Sequence, residues 1–167
     1  MANNETPIRK KNRLNHYDYS NCGAYFLTIC TAKRCNLLWH DVPSDVGAII
    51  DRPLNSELSP YGKIVEKAIN DIPSIYPVVE IDYYVIMPDH IHLLLSIHAD
   101  ENGRTMVAPT GSRIVKQFKG SVTRQLGRSI WQKSFFDHII RNKEDYEKHA
   151  KYIYENPLAL YYDRGGH

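Results

Sequence analysis

The spacing of apolar residues changes along the chain and predicts alternating strands and helices. Residues 24–31, AYFLTICT, are aromatic and β-branched, a composition typical of a strand. Ser59 and Pro60 form a favourable helix start, and apolar residues then recur at helical spacing as far as Pro73. The pattern weakens between these two elements, so residues 39–59 are interpreted as a loop or short hairpin.

The second half of the chain predicts further strands and helices. Residues 78–87 and 90–97 are both strand-like, and Pro88 and Asp89 make the tight turn of an antiparallel pair. Residues 99–111 lack a pattern and predict a flexible connection. The remaining predicted elements are a helix over 112–125 ended by Gly127, a strand over 129–140, and a helix that Asn142 caps, with Asp145 as a partial capping box, and that Pro157 ends after Asn156.

This order of elements predicts a single α+β domain. Strand, helix, strand, strand, helix, strand and helix correspond to a ferredoxin-like (RRM-like) antiparallel sheet with helices on one face and a further C-terminal helix. A chain of 167 residues is long enough for one real core and too short for two comfortable ones. The predicted boundaries are a basic arm over residues 1–20, the domain over 21–160 and a tail over 161–167.

Composition and the start of the chain indicate a cytoplasmic protein that does not enter membranes. A hydrophobic content of 43% and a charged content of 24% are ordinary for a soluble globular protein. The polar, basic start differs from a secretory leader, and no apolar run has the length of a membrane span. The 3 cysteines form no CxxC pair, which favours reduced thiols.

Two histidines interrupt an otherwise apolar strand. His90 and His92 are separated by one residue, so their side chains share one face of the strand, whereas Ile91 and Leu93 point to the other. Imidazoles placed in this way can bind one divalent metal ion. The alternative is a pair of hydrogen-bonded histidines at the sheet surface, and the spacing by itself does not exclude it.

The last predicted helix supplies a reactive group and a further ligand. Tyr152 and Asn156 are four residues apart and lie on one helical face. An amide oxygen is a ligand for hard cations, and the tyrosine hydroxyl would stand next to the same ion. The alternatives are a packing role for Tyr152 and a helix-capping role for Asn156. Tyr154 faces roughly the opposite side of this helix.

The segment FFDHIIR adds titratable residues just before that helix. His138 is a candidate for a further metal ligand or a phosphate contact. A structural role is the favoured interpretation, with Asp137 paired to Arg141 or to His138.

The net charge is only +2, but basic residues are concentrated near residue 10 and again over residues 112–134. Residues 112–134 contain lysines and arginines without any aspartate or glutamate. A solvated helix face is the usual explanation for such a run, although a nucleic-acid backbone would also suit it. Trp131, Phe135 and Phe136 follow this helix and would either stack on bases or be buried. The residues predicted to bind nucleic acid are Arg9, Lys10, Lys11, Arg13, Lys116, Lys119 and Arg124.

Taken in order, these motifs resemble the REP-associated tyrosine transposases, a branch of the single-tyrosine HUH transposases of insertion-sequence type. The similar stretches are YDYSNCGAYFLTICT, LSPYGKIVEKAI, YVIMPDHIHLLLSI, RIVKQFKGSVTRQL and IWQKSFFDHIIRNKEDYEKHAKYIYENP, which cover most of the chain. Any one stretch is a weak signal, whereas all of them in order are specific.

The resemblance implies a metal-dependent enzyme that acts on DNA. By position, the family's metal-binding histidines correspond to His90 and His92, its attacking tyrosine to Tyr152, and its polar ligand one turn later to Asn156. Such enzymes cleave single-stranded DNA beside hairpins, rejoin it through a 5′-phosphotyrosine, and favour Mg²⁺ or Mn²⁺. The resemblance also implies a prokaryotic, nucleoid-associated protein that works as a monomer or as a homodimer.

Two other classes of function are compatible with the same residues. A domesticated relative would recognise a DNA hairpin without productive cleavage. A metal-dependent nuclease or phosphodiesterase on a ferredoxin-like sheet would use water, so its activity would not require Tyr152.

Overall fold

The structure, a computed structural model, describes residues 23–40, 58–99 and 109–163, with side chains described as far as Pro157. Arg9, Lys10, Lys11 and Arg13 of the predicted basic arm lie outside the described residues. Within the described part of the chain, no helix is both long enough and apolar enough to cross a membrane.

The elements follow the predicted alternation of strands and helices. A short 3₁₀ helix, Ala32–Arg34, follows the first strand. The strands are β1 (Gly23–Cys30), β2 (Val79–Ile86), β3 (His90–Ile97) and β4 (Phe136–Ile139), and the α-helices are α1 (Pro60–Asn70), α2 (Ile72–Ile75), α3 (Gly111–Leu126) and α4 (Lys143–Asp163).

The strands form one antiparallel sheet in the order β2-β3-β1-β4. Sequence neighbours β2 and β3 pair through their tight turn, while β1 lies between β3 and β4. This is the strand order of a split βαβ, ferredoxin-like domain, so the predicted fold is confirmed. The register of the central pair sets Thr28 opposite His92. The Thr28 hydroxyl is thereby placed beside the imidazole ring.

The two faces of the sheet carry different cores. Helices α1 and α3 cover one face, where Val65, Phe118, Ile91 and Leu93 belong to the larger core. Helix α4 covers part of the other face, where Ile153 packs in a smaller cluster with Phe26, Val85, Met87 and Leu94. Because side chains alternate along β3, the residues that alternate with Ile91 and Leu93 face α4.

The helix starts are set by local hydrogen bonds. The Ser59 hydroxyl accepts the Gly62 N–H at 3.1 Å and donates to the Leu37 carbonyl at 2.6 Å, which ties the start of α1 to the segment after β1. Gly62 is needed because a Cβ at this position would overlap the Leu38 carbonyl oxygen. Gly127 ends α3 with a φ of 71°, a left-handed conformation that glycine adopts without strain.

Two sequence predictions about the C-terminal region are wrong. The strand predicted over 129–140 is limited to Phe136–Ile139, apart from an isolated bridge between Trp131 and Thr31. Its apolar residues Ile130 and Trp131 are buried in the larger core, so their hydrophobicity reflects packing and not a ladder of strand hydrogen bonds.

The second error concerns the helix boundaries. Pro157 lies inside α4, which continues to Asp163, although an interior proline removes one helical N–H donor and crowds the carbonyl four residues earlier. Near the other predicted stop, α1 ends at Asn70, and Pro73 lies within the short helix α2. The predicted cap of α4 is confirmed, since the Asn142 side chain accepts the Asp145 N–H at 2.9 Å.

Candidate active site

The histidine pair lies on the face of the sheet that α4 covers. The ring centroids of His90 and His92 are 4.7 Å apart, and the rings are inclined at 76°. Ile91 and Leu93 are buried on the opposite face against α1 and α3. The period of two residues along β3 therefore presents both imidazoles to one space, as the spacing predicted.

Each imidazole is held through its Nδ1 atom. The His90 Nδ1–H donates to the Asp89 carboxylate at 2.6 Å, and Nδ1 of His92 lies 2.8 Å from the Thr28 hydroxyl. With Thr28 as acceptor, the Nδ1 proton is fixed in both rings and Nε2 carries the lone pair. Nε2 of His92 is buried and has no hydrogen-bond partner among the described residues.

A buried polar atom without a partner requires an explanation, and an imidazole nitrogen in this position is able to bind a metal ion. His92 is only 5% exposed, and burial, with contributions from the nearby charges of His90, Arg34 and His149, lowers its pKa to about 3. Burial also lowers the pKa of His90, against the opposing effect of Asp89. Both rings are therefore neutral near pH 7, the form in which imidazole binds metal ions.

Helix α4 brings the tyrosine and the asparagine to the same place. The Tyr152 ring lies 5.2 Å from the His92 ring and 6.0 Å from the Phe26 ring, and Tyr152 is 50% exposed. Asn156, one turn later, is 8% exposed. Both residues and both histidines line one open cleft of about 990 Å³, so a single chain brings the four groups together.

The cleft also contains a strained arginine that the sequence patterns did not single out. Lys33 and Arg34 have φ angles of 54° and 55°. This left-handed backbone conformation costs on the order of 1–3 kcal/mol for each non-glycine residue. Arg34 Nε pairs with Asp89 at 2.8 Å, so one carboxylate joins the guanidinium to the His90 ring. Asp89 directly precedes His90, and this adjacency was the available sequence signal for its role.

The same chain segment matches a known protein family. Residues 24–156 fit the family described as "Transposase IS200 like". The chain belongs to the IS200-like transposase family. It is 30% identical to an uncharacterized protein of Haemophilus influenzae over 93% of this chain and 92% of that protein. It is 36% identical to the REP-associated tyrosine transposase of Escherichia coli K12 over 47% of this chain and 44% of that protein.

A solved structure shares the fold of this transposase. The structure of a REP-associated tyrosine transposase bound to a REP hairpin superposes with a TM-score of 0.59, at 23% identity, over 89% of this chain and 74% of that chain. The family match and these relatives confirm the resemblance seen in the sequence motifs.

The basic residues of α3 lie away from the cleft of the transposase. Helix α3 packs on the face opposite the histidines. The Lys119 amino group donates to the carbonyls of Gln132 at 2.7 Å and Ser134 at 3.1 Å, and burial lowers its pKa. Lys116 and Arg124 are both exposed, and neither shows such a bond among the described residues. DNA binding by these three residues stays a prediction.

Other cations of the transposase do face the cleft. Lys148 and Lys151 on α4 line it together with Arg34. Among the aromatic residues considered for base stacking, Trp131 is buried and packs against Phe118, whereas Phe136 is half-exposed and lines the cleft.

A second group of titratable residues lies where β4 meets α4. His138 Nε2 contacts the Asp145 carboxylate at 2.9 Å, and His149 Nδ1 contacts it at 3.2 Å. His138 therefore pairs with an acid on α4, whereas Asp137 of the same strand was predicted to pair with His138 or with Arg141. Tyr154 is 80% exposed, in keeping with the helical face predicted for it.

Proposed function

We propose that this chain cleaves and rejoins single-stranded DNA beside hairpins, with Tyr152 as the nucleophile. The observation that carries the proposal is the position of a half-exposed phenol 5.2 Å from the ring of His92, whose Nε2 has no other partner among the described residues. A phenol outside the core can reach a phosphodiester, and the cleft of about 990 Å³ is large enough for nucleotides.

His90, His92 and Asn156 would hold a divalent ion, which we take to be Mg²⁺ or Mn²⁺. When bound, such an ion neutralises charge that develops on the scissile phosphate. The neutral imidazoles and the amide contribute no negative charge of their own, so the ion would retain its full positive charge toward the substrate. The buried, unpartnered Nε2 of His92 supports this assignment.

The chain itself supplies the nucleophile and the strand exchange. The Tyr152 hydroxyl loses its proton, its oxygen forms a bond to phosphorus, and the bond from phosphorus to the 3′ oxygen breaks. One strand then ends in a free 3′-OH, and the other is linked through its 5′ phosphate to the tyrosine. Because this linkage is again a phosphodiester, an incoming 3′-OH can displace Tyr152 and rejoin DNA without ATP.

Cations around the cleft would hold the phosphates next to the reacting bond. Arg34 is fixed by its ion pair with Asp89, which limits the freedom lost when the guanidinium binds an anion. Lys148 and Lys151 line the same cleft on α4. A hairpin as the substrate is supported by the structural neighbour, whose structure contains a REP hairpin. DNA of this kind would place the activity at the nucleoid of a prokaryotic cell.

A single chain is sufficient for this proposal. The histidines of β3 and the tyrosine and asparagine of α4 meet within one chain. A homodimer that exchanges α4 is therefore not required to complete the site. Sizing of the free protein and of its complex with DNA would distinguish a monomer from a dimer.

The test uses an end-labelled DNA hairpin with single-stranded flanks and Mn²⁺. The wild-type chain should form a covalent adduct that survives denaturing electrophoresis, and Tyr152→Phe should abolish it. Tyr154→Phe is the matched control, because that tyrosine lies on the same helix but is 80% exposed and outside the lining of the cleft. An adduct that persists in Tyr152→Phe would exclude Tyr152 as nucleophile.

The same assay separates the other two classes of function. DNA binding by the wild-type chain without any adduct would identify a hairpin-binding protein. Cleavage that survives in Tyr152→Phe would identify a nuclease that uses water. If the proposal is right, His90→Ala combined with His92→Ala should abolish cleavage and leave much of the DNA binding, since binding rests on basic contacts.

A further inference from the structure

Three potential metal ligands converge at the junction of β4 and α4, beside the proposed DNA-cleaving site, whose cleft one of them, His149, also lines. His138 comes from β4, whereas Asp145 and His149 lie one turn apart on α4. Their ligand atoms all lie within 4.8 Å of one another. The closest separations are 2.9 Å from His138 Nε2 to Asp145 Oδ2 and 3.2 Å from His149 Nδ1 to Asp145 Oδ1.

We propose that His138, Asp145 and His149 form a second metal site that binds Zn²⁺ and fastens the start of α4 to the edge strand. Two imidazoles and a carboxylate are a donor set that Zn²⁺ accepts, with a fourth position left for water. Ligand bonds of about 2.0–2.2 Å at a tetrahedral ion place the ligand atoms roughly 3.3 Å apart. The two closest separations approach this spacing, and the ligand atoms, which all lie within 4.8 Å of one another, would move closer together around the ion.

The surroundings hold the three side chains in place. The Arg141 backbone N–H donates to Asp145 Oδ2 at 3.0 Å and orients the carboxylate. The His138 and His149 rings stack with centroids 4.7 Å apart and planes inclined by 22°. Phe26 packs against His149 at 4.6 Å between ring centroids. Outer contacts of this kind fix the orientation of metal ligands.

In the metal-free form, hydrogen bonds join the residues of the same cluster. His149 Nδ1–H donates to the Asp145 backbone carbonyl at 2.8 Å, and His138 Nε2–H donates to the carboxylate. Binding of Zn²⁺ would displace these protons, as metal binding to histidine generally does. Asp145 lies in the first turn of α4, about two turns before Tyr152. A bound ion would therefore hold in place the start of the helix that carries the proposed nucleophile.

The inference is independent of the proposed DNA chemistry and is tested by metal binding. In the full chain carrying His90→Ala and His92→Ala, which lacks the first site, we expect one Zn²⁺ bound per chain at this cluster in isothermal titration. Added Zn²⁺ should also raise the melting temperature of this variant. A further Asp145→Asn change should weaken binding by roughly tenfold or more.

Glu144→Gln is the matched control, since it removes an exposed carboxylate from the same helical turn and should leave Zn²⁺ binding unchanged. His138→Gln provides a second test on the edge strand in case Asp145→Asn impairs folding. In the otherwise wild-type chain, either cluster variant should weaken the binding of one equivalent of Zn²⁺. The proposal is overturned if the chain binds no Zn²⁺ or if Asp145→Asn and His138→Gln both leave binding unchanged, since the cluster would then be hydrogen-bonded only.

Discussion

Replacement of Thr28 tests the proposed metal-binding role of His92 through the contact that holds its imidazole. Its hydroxyl lies 2.8 Å from Nδ1 of His92, across the register of β1 and β3. Thr28→Val removes this hydroxyl but keeps a β-branched side chain that suits a strand. We expect the variant to fold and to bind Mn²⁺ more weakly, because the imidazole loses the contact that fixes its tautomer and orientation.

The expected magnitude follows from two separate estimates. A buried polar atom left without a partner costs about 1–3 kcal/mol, and His92 is 5% exposed. Loss of a hydrogen-bond partner behind a metal ligand typically weakens metal affinity by roughly 10–100-fold. That loss corresponds to about 1.4–2.8 kcal/mol of binding free energy, whereas the first figure is the expected loss of folding stability.

Mn²⁺ affinity is measured by the electron paramagnetic resonance signal of the free ion during titration of each variant. Thr28→Ser is the matched control, because it restores the hydroxyl and should retain affinity close to that of the wild-type chain. Circular dichroism verifies that both variants are folded. Equal Mn²⁺ affinities for a folded Thr28→Val and for the wild-type chain would refute the reasoning that this hydroxyl positions His92.

The remaining predictions concern the framework around the site. Gly62→Ala should lower the free energy of unfolding by about 1–3 kcal/mol or more, since the new Cβ would overlap a backbone carbonyl oxygen. Gly120→Ala, at a position with open space around it, should raise the free energy of unfolding by about 0.5–1 kcal/mol, measured by urea unfolding. If both variants shift stability in the same direction, this account of the two glycines fails. Ile153→Ala should cost about 2–5 kcal/mol and speed hydrogen exchange in α4, because Ile153 packs this helix onto the sheet. Ile75→Ala, at a position 45% exposed, should cost under about 1 kcal/mol, and equal losses for the two isoleucines would contradict the packing argument.

Local geometry was predictable wherever neighbouring residues determine it. Alternation along a strand is sufficient to place His90 and His92 on one face, and helical spacing is sufficient to place Tyr152 near Asn156. The Asn142 cap was predictable for the same reason, since its hydrogen bond joins residues three positions apart. These arrangements depend on backbone geometry within one element and need no knowledge of its neighbours.

Hydrophobicity was misleading where packing replaced regular hydrogen bonding. Ile130 and Trp131 have strand-like side chains, but they are buried in the core outside any named strand.

Other signals of single residues were also misleading. Pro157 is a residue that usually stops a helix, yet α4 continues past it. Lys119 was grouped with the cations of α3, but its amino group is committed to two backbone carbonyls of the following segment.

The sequence by itself determined the order of elements, the fold class and the facing of the histidine pair, because each depends on periodicity and short-range steric preference. Tertiary structure alone decided that Thr28 supports His92, a residue 64 positions away, and that His138 meets Asp145. It also decided which cations reach the cleft. These contacts follow from strand register and from the burial of Ile153 against the sheet, which are set by distant segments packing together.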